Sequence, residues 1–234
     1  MPAACQRCEV VFRPPHGVGT DVRWTMSDQD GTASAFADGL RRHPDGKPRC
    51  WWCGDDPDYV AYHDTEWAVP MRDDIAVFEK LCLEGFQAGL SWLTILRKRE
   101  AFRRAFAGFD PDVVAGFGDD EVTALLADST IVRNRAKIEA TISNAHAFRR
   151  LADAGGSLSD LVWSFAPSPP PAPPQRPDDV PASTPASTAM SRTLKQHGFR
   201  FVGPTTCYAA MQALGLVDDH LAGCWRRAGP PSAA

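Results

Sequence analysis

Between residues 73 and 217 apolar side chains recur at helical intervals, and no run rich in Val, Ile and Thr alternates with polar residues. Helix is therefore the element this chain is built from, and the expected fold class is all-α. Asp73 or Asp74 can cap a helix through IAVFEKLCLEGFQA, with Ile75, Phe78, Leu81, Cys82 and Phe86 on one face. Gly89 interrupts it, and Ser91 can cap a second helix, WLTILRKREAFRRAF. Asp110-Pro111 opens a short third, with Pro in the first turn. Asp119 or Asp120 opens another through Leu126, and a longer one covers roughly 131–152 with Ile131, Ile138, Ile142 and Phe148 near helical spacing. LSDLVWSF, 158–165, reads as a short buried helix.

The composition changes twice. Residues 1–46 carry few periodic apolar positions and are expected to be a disordered extension, with Met26 an alternative start of translation. Cys5-x-x-Cys8 in that segment has the spacing of half a metal site, but no second pair lies nearby to complete it. Residues 166–188 are Pro-rich, can join neither a helix interior nor a sheet, and read as a long surface loop. Helical pattern resumes at Ala189, and 191–216 reads as two helices around a Gly203 turn with Pro204 starting the second. One folded domain is expected over 47–228, with a disordered tail at 229–234. No apolar run approaches the ~20 residues of a membrane span, and the first residues lack the apolar core of a signal peptide. A cytoplasmic location is the expectation. Seven Cys, at 5, 8, 50, 53, 82, 207 and 224, are an odd number, which favours metal or thiol roles over a disulfide framework. The net charge of -4 offers no global basic field for nucleic acid, although a local basic face suffices to bind it.

Three groups of residues point to chemistry. The stretch RCWWCGDDPDYVAYHDTEWAVP, 49–70, gathers Trp51, Trp52, Tyr59, Tyr62 and Trp67 with Cys50, Cys53 and His63. It has no clean period, and so reads as an irregular segment lining a pocket rather than as a plain helix. His220-x-x-x-Cys224, joined by Cys50 and either His63 or Cys53, makes a four-ligand N/S set of the kind that closes a structural zinc site. Core thiols and satisfied histidines account for the same residues without an ion. In the hairpin at 191–216, turn amides and a helix N-terminus can bind phosphate, with Arg192, Lys195, His197 and Arg200 nearby. An ordinary helical hairpin has the same turn. Glu84, among Leu83, Phe86 and Leu90, is costly to bury unless it serves a site; on the helix face in water it costs nothing. Trp92 is core or a stacking wall.

These residues carry a resemblance. RCxWxxxDPxYxxYHDxEWxVP, LExxQAGLSWxTILxKRxxFRxAF and FVGxTTCYxxMQAxGLVxDHxxGC, in that order from about Arg49 to Cys224, are similar to the bacterial 3-methyladenine DNA glycosylase I family, one of the helix–hairpin–helix glycosylases. The resemblance implies a helical domain whose terminal segments are stapled by one structural Zn2+ on Cys50, His63, His220 and Cys224. It implies hydrolytic excision of N3-methyladenine from double-stranded alkylated DNA, leaving an abasic site, by a monomer. Trp52, Tyr59, Tyr62 and Trp92 would form aromatic walls for the flipped base, and Glu84 would accept a hydrogen bond from it. Leu90 would wedge into the gap left in the duplex, where packing at a helix start is the plainer role. Gly203 and Thr205 would meet the DNA backbone.

The resemblance also sets expectations about what is missing. After the hairpin turn the chain reads Pro204-Thr205-Thr206-Cys207, without the Lys of the lyase members. A monofunctional enzyme without a Schiff base is expected. Asp218 and Asp219 lie beside His220 and receive no catalytic role. Trp51 and Trp67 are left to packing. A DNA-binding module without catalysis is the competing reading, and Glu84 beside Trp52 and Trp92 argues against it.

Overall fold

Side-chain caps decide where the helices begin. In the computed structural model, which describes residues 38–227, Asp56 caps α1 (Pro57–Thr65), Asp73 caps α2 (Asp74–Gln87) and Ser91 caps α3 (Trp92–Ala105). Asp110 caps the single turn α4 (Pro111–Val114), followed by α5 (Asp119–Ala127). Asn134 caps α6 (Arg135–Asp153), and Ser157 caps α7 (Leu158–Trp163). Thr184 caps α8 (Pro185–Gln196), and α9 (Pro204–Ala213) starts after Gly203. In all but the last, a short polar side chain accepts from, or a neighbouring acid closes onto, the first unpaired amides. The expected start of the long helix at 131 lies four residues early, because Asn134 supplies the cap and Ile131 packs just ahead of it.

The described residues are mostly helical, as expected, with one small sheet that the all-α expectation did not include. β1 (Leu40–Arg42) pairs antiparallel with β2 (Pro48–Cys50), Leu40 opposite Cys50. Strands of three residues are too short to leave an alternating pattern. The signal that remained was Asp45-Gly46, a turn pair, with Gly46 at a φ of 79°. Residues 38–46, expected to be disordered, thus form a strand and a turn. Cys5, Cys8, Met26 and the tail at 229–234 lie outside the described residues.

Two further corrections concern helices. The stretch 49–70 contains the regular helix α1, which Asp56-Pro57 opens by the same cap-plus-Pro rule used at Asp110. Periodicity missed it because its rings and ligands are not gathered on one apolar stripe. At the other end of the loop, Pro185 sits at the start of α8, so the Pro-rich segment becomes helical at 185 rather than 189. Ile75, expected on the apolar face of α2, is 36% exposed.

The core is largely aromatic. Phe86 packs on Phe102 at 4.5 Å and on Phe106 at 5.8 Å, and Phe106 on Phe109 at 5.6 Å, joining α2 to α3 and the turn after it. α2 is buried along its middle from Val77 to Phe86, apart from Glu79, so the polar groups on that length face the interior. α6 braces two turns. Its Lys137 Nζ donates to the carbonyls of Phe86 and Ala88 at 2.8 and 2.6 Å, fixing the α2–α3 turn. Two helical turns on, Asn144 exchanges two hydrogen bonds with the backbone of Arg200, fixing the α8–α9 turn.

Candidate active site and metal centre

The end of β2, helix α1, the middle of α2, the start of α3 and the segment from α9 onward meet around one cavity of about 240 Å³. Trp52, Tyr59, Tyr62, Glu84 and Trp92, the residues that the family resemblance implied for a base pocket, all line it. The rings form a connected wall: Trp52 lies 5.0 Å from Tyr59, and Tyr62 lies 5.5 Å from Trp92 between ring centroids. Trp51 and Trp67, assigned to packing, line the cavity too; Trp51 is 38% exposed at its edge. Gln87, Val180, Ala209, Gln212, Ala213 and Asp219 complete the lining. Asp219 is tied up on one oxygen, which accepts from Tyr208 Oη at 2.6 Å and Gln212 Nε2 at 2.8 Å.

Glu84 is the unusual member. It is 5% exposed, yet its carboxylate takes part in no hydrogen bond or ion pair with any described residue. Burial raises its pKa to about 7, and the charge of Lys80 opposes the rise. Lys80, one turn earlier on α2, is 8% exposed and donates to Tyr62 Oη at 3.4 Å. Its ammonium lies 4.5 Å from the Trp92 ring centroid and 5.0 Å from that of Tyr62. Sequence reasoning missed it, because a Lys four residues before a Glu reads as an ion pair on a wet helix face.

Leu90, Gly203 and Thr205 do not line the cavity. Leu90 stands 42% exposed at the α2–α3 turn, after Gly89 at a φ of 82°. Gly203 is the residue before α9, and Thr205 is exposed in its first turn. The turn ahead of them is held by Ser191 Oγ, which donates to the Val202 carbonyl at 2.5 Å. A side chain at Gly85 would meet Phe201 Cβ at 3.2 Å, so α2 approaches this hairpin closely.

Behind the aromatic wall, Cys50, His63 and Cys224 bring their ligand atoms within 4.8 Å of one another, all buried. The His220 ring centroid lies 4.8 Å from that of His63, and its Nε2 is buried without a hydrogen-bond partner. Cys53 turns away: its Sγ donates to the Cys50 carbonyl at 3.1 Å. Spacing left Cys53 and His63 as alternatives, and the geometry puts His63 in the cluster.

Both imidazoles are oriented by neighbouring carboxylates, Asp64 at 2.8 Å from His63 Nδ1 and Asp218 at 2.7 Å from His220 Nδ1. The Nε2 atoms are thereby left free for the cluster, as second-shell carboxylates do around metal-bound imidazoles. Arg49 and Trp225 in turn donate to Asp64, and Arg227 pairs with Asp218. A hydrogen bond from Cys50 lowers the Cys224 pKa and raises that of Cys50, whose burial raises it further. The Leu221 amide also points at Cys50 Sγ, at 3.4 Å. Two thiol sulfurs and two inward imidazole nitrogens, one of them orphaned, are a donor set that suits a four-coordinate soft cation.

The methyladenine glycosylase family model matches residues 52–227. The chain is 49% identical over 177 residues to DNA-3-methyladenine glycosylase 1 of Escherichia coli (strain K12), covering 75% of this chain and 95% of that protein. A crystal structure of 3-methyladenine DNA glycosylase I is similar with a TM-score of 0.74 at 49% identity, over 76% of this chain and 98% of that one. The 3-methyladenine DNA glycosylase I of Staphylococcus aureus, solved to define the structural basis of 3-methyladenine recognition, gives 0.71 at 38% identity, over 74% and 93%.

Proposed function

This chain belongs to the methyladenine glycosylase family, and from that premise we propose that it hydrolyses the glycosidic bond of N3-methyladenine in alkylated double-stranded DNA. One observation carries the reading to this chain's own residues: an unpaired, buried carboxylate, Glu84, in an aromatic-walled cavity. A carboxylate that nothing in the protein satisfies is stable only if its site supplies a partner. N3-methyladenine within DNA is cationic and presents N–H donors. It fits a negative oxygen and the electron-rich faces of Trp52, Tyr59, Tyr62 and Trp92. Neutral adenine lacks that attraction.

In this reading the damaged base leaves the stack and enters the cavity, as glycosylases reach their target atoms. Leu90, exposed at the α2–α3 turn, fills the gap in the duplex. The α9 N-terminus at Gly203 and Thr205 takes a backbone phosphate. The bond between C1′ and N9 then breaks with its electron pair moving to the base, which becomes neutral as it departs. Water adds to C1′ and loses a proton to solvent. The base is already a good leaving group, so no strong acid is required. No Lys follows the hairpin turn, and the reaction ends at the abasic site with no lyase step.

Zinc is the ion that Cys50, His63, His220 and Cys224 would hold. With four protein ligands it would be structural, tying Cys50 and the loop after α9 to α1, without an open position for chemistry. The test of the activity is to incubate zinc-loaded protein with methylated duplex DNA and separate the released bases. Free N3-methyladenine is expected; none above background from folded protein would refute the activity and leave a DNA-binding module.

A further inference from the structure

Lys80 is a buried charged group, next to the cavity, that the reaction just described does not use. Around Glu84, the ionisable groups lining the same cavity are Tyr59 and Tyr62 from α1 and Asp219 from the segment after α9. Behind the cavity, a small space bounded by Lys80 also holds Glu66, Glu79, Arg99 and Arg103. Those four pair off among themselves: Arg99 with Glu66, and Arg103 with Glu79 at 2.8 Å. Lys80 and Glu84 are left over. They lie one turn apart on the buried length of one helix, each without a salt bridge among the described residues.

We propose that Lys80 is a positioning residue for excision: its ammonium, lodged behind the Tyr62–Trp92 wall, favours the anionic form of Glu84 and fixes the Tyr62 hydroxyl. The proposal rests on the reading of Glu84 as the acceptor for the cationic base. An ammonium whose contacts are one phenol oxygen and two ring faces is poorly solvated. Glu84 is likewise largely withdrawn from bulk water, at 5% exposure and with no donor from the protein. Each lowers the cost of the other's charge across the low-dielectric interior. Sitting behind the rings, Lys80 does this without occupying the cavity or repelling the base at contact distance. It also holds Tyr62 Oη from the rear, so this phenol presents a defined face to the ligand.

The test combines a direct titration with a rate profile. The side-chain carboxyl carbon of Glu84 is followed by NMR in 13C-glutamate-labelled protein, its signal identified by its loss in Glu84→Gln. In Lys80→Met and Lys80→Gln the Glu84 midpoint is expected to rise by about one pH unit, the low end for a nearby opposite charge. Release of N3-methyladenine should then fall about tenfold near pH 6.5 and return towards the wild-type rate by pH 9. Lys80→Arg should keep the wild-type profile. A Glu84 midpoint that does not move in either uncharged variant overturns the proposal, as does an equal loss of rate at every pH, which marks packing alone. A moved midpoint in protein whose wild type releases no base supports the coupling while refuting the activity.

Discussion

Replacing Glu84 by Gln should yield a protein that is more stable above neutral pH and far less active. The carboxyl pKa is 4.5 in an unfolded chain and about 7 in the folded one, because burial outweighs the help from Lys80. A raised carboxyl favours the folded state while protonated. That contribution is complete below 4.5 and is lost as pH rises through 7. By pH 8 the loss amounts to about 3 kcal/mol, at 1.36 kcal/mol per pH unit.

Gln has nearly the same shape and no charge, and so avoids this cost. It also removes the counter-charge of Lys80, which takes back part of the gain. The net expectation is about 1–2 kcal/mol at pH 8, or about 2–8 °C in Tm for a domain of this size, with little difference at pH 5. Comparing variant and wild type at the same pH cancels any titration of the Cys/His cluster. Excision should fall about 10- to 150-fold, the worth of a charge-assisted hydrogen bond of about 1.5–3 kcal/mol. Calorimetry at pH 5 and 8 with single-turnover base release measures both halves. A variant less stable than wild type at pH 8, or one that releases base at the wild-type rate, would refute the reasoning.

Three other outcomes are expected. His220→Ala should drop bound zinc below one ion per chain and lower Tm by on the order of 10 °C, since the ion closes a very long loop; metal analysis and melting check it. Leu90→Ala should cut excision from duplex DNA about tenfold while shifting stability by less than about 0.5 kcal/mol, because the side chain is 42% exposed. Unchanged excision would remove the wedge role. Borohydride should trap no covalent DNA adduct during turnover, and a trapped adduct would establish a Schiff base.

Helices with an apolar stripe and a capping residue were legible in the chain: α3 begins after Ser91, and of the two candidate caps for α2, Asp73 and Asp74, the first is used. α1 was not, because a helix that lends its residues to a cavity and a metal centre keeps no stripe to read. The cavity's aromatic residues were legible through their density and the family likeness. Lys80 and Lys137 were hidden, since burial of a Lys depends on what crosses above it. Arg49 was read only as the edge of a motif, yet it is buried and donates to both Asp45 and Asp64. The Pro-rich loop read as a surface loop. In the fold its Pro174 carbonyl accepts from the Ala222 amide at 2.9 Å, and Val180 reaches the cavity.

The Cys/His cluster also sets when this protein can become active during its synthesis. Trp52, one wall of the cavity, lies 5.2 Å from His63, and Trp67 lies 4.6 Å from His220. His63 meets Cys224 across 161 residues of chain. At about 5–20 residues per second, a ribosome needs about 8–32 s to cover that interval. Late in it, once α2 and α3 have been made, the helices around Phe86 and Phe102 can pack while the base-reading wall lacks its support. A chain that stops short of Cys224 would therefore lack the cluster that backs Trp52 and Trp67, and with it a complete base-reading wall.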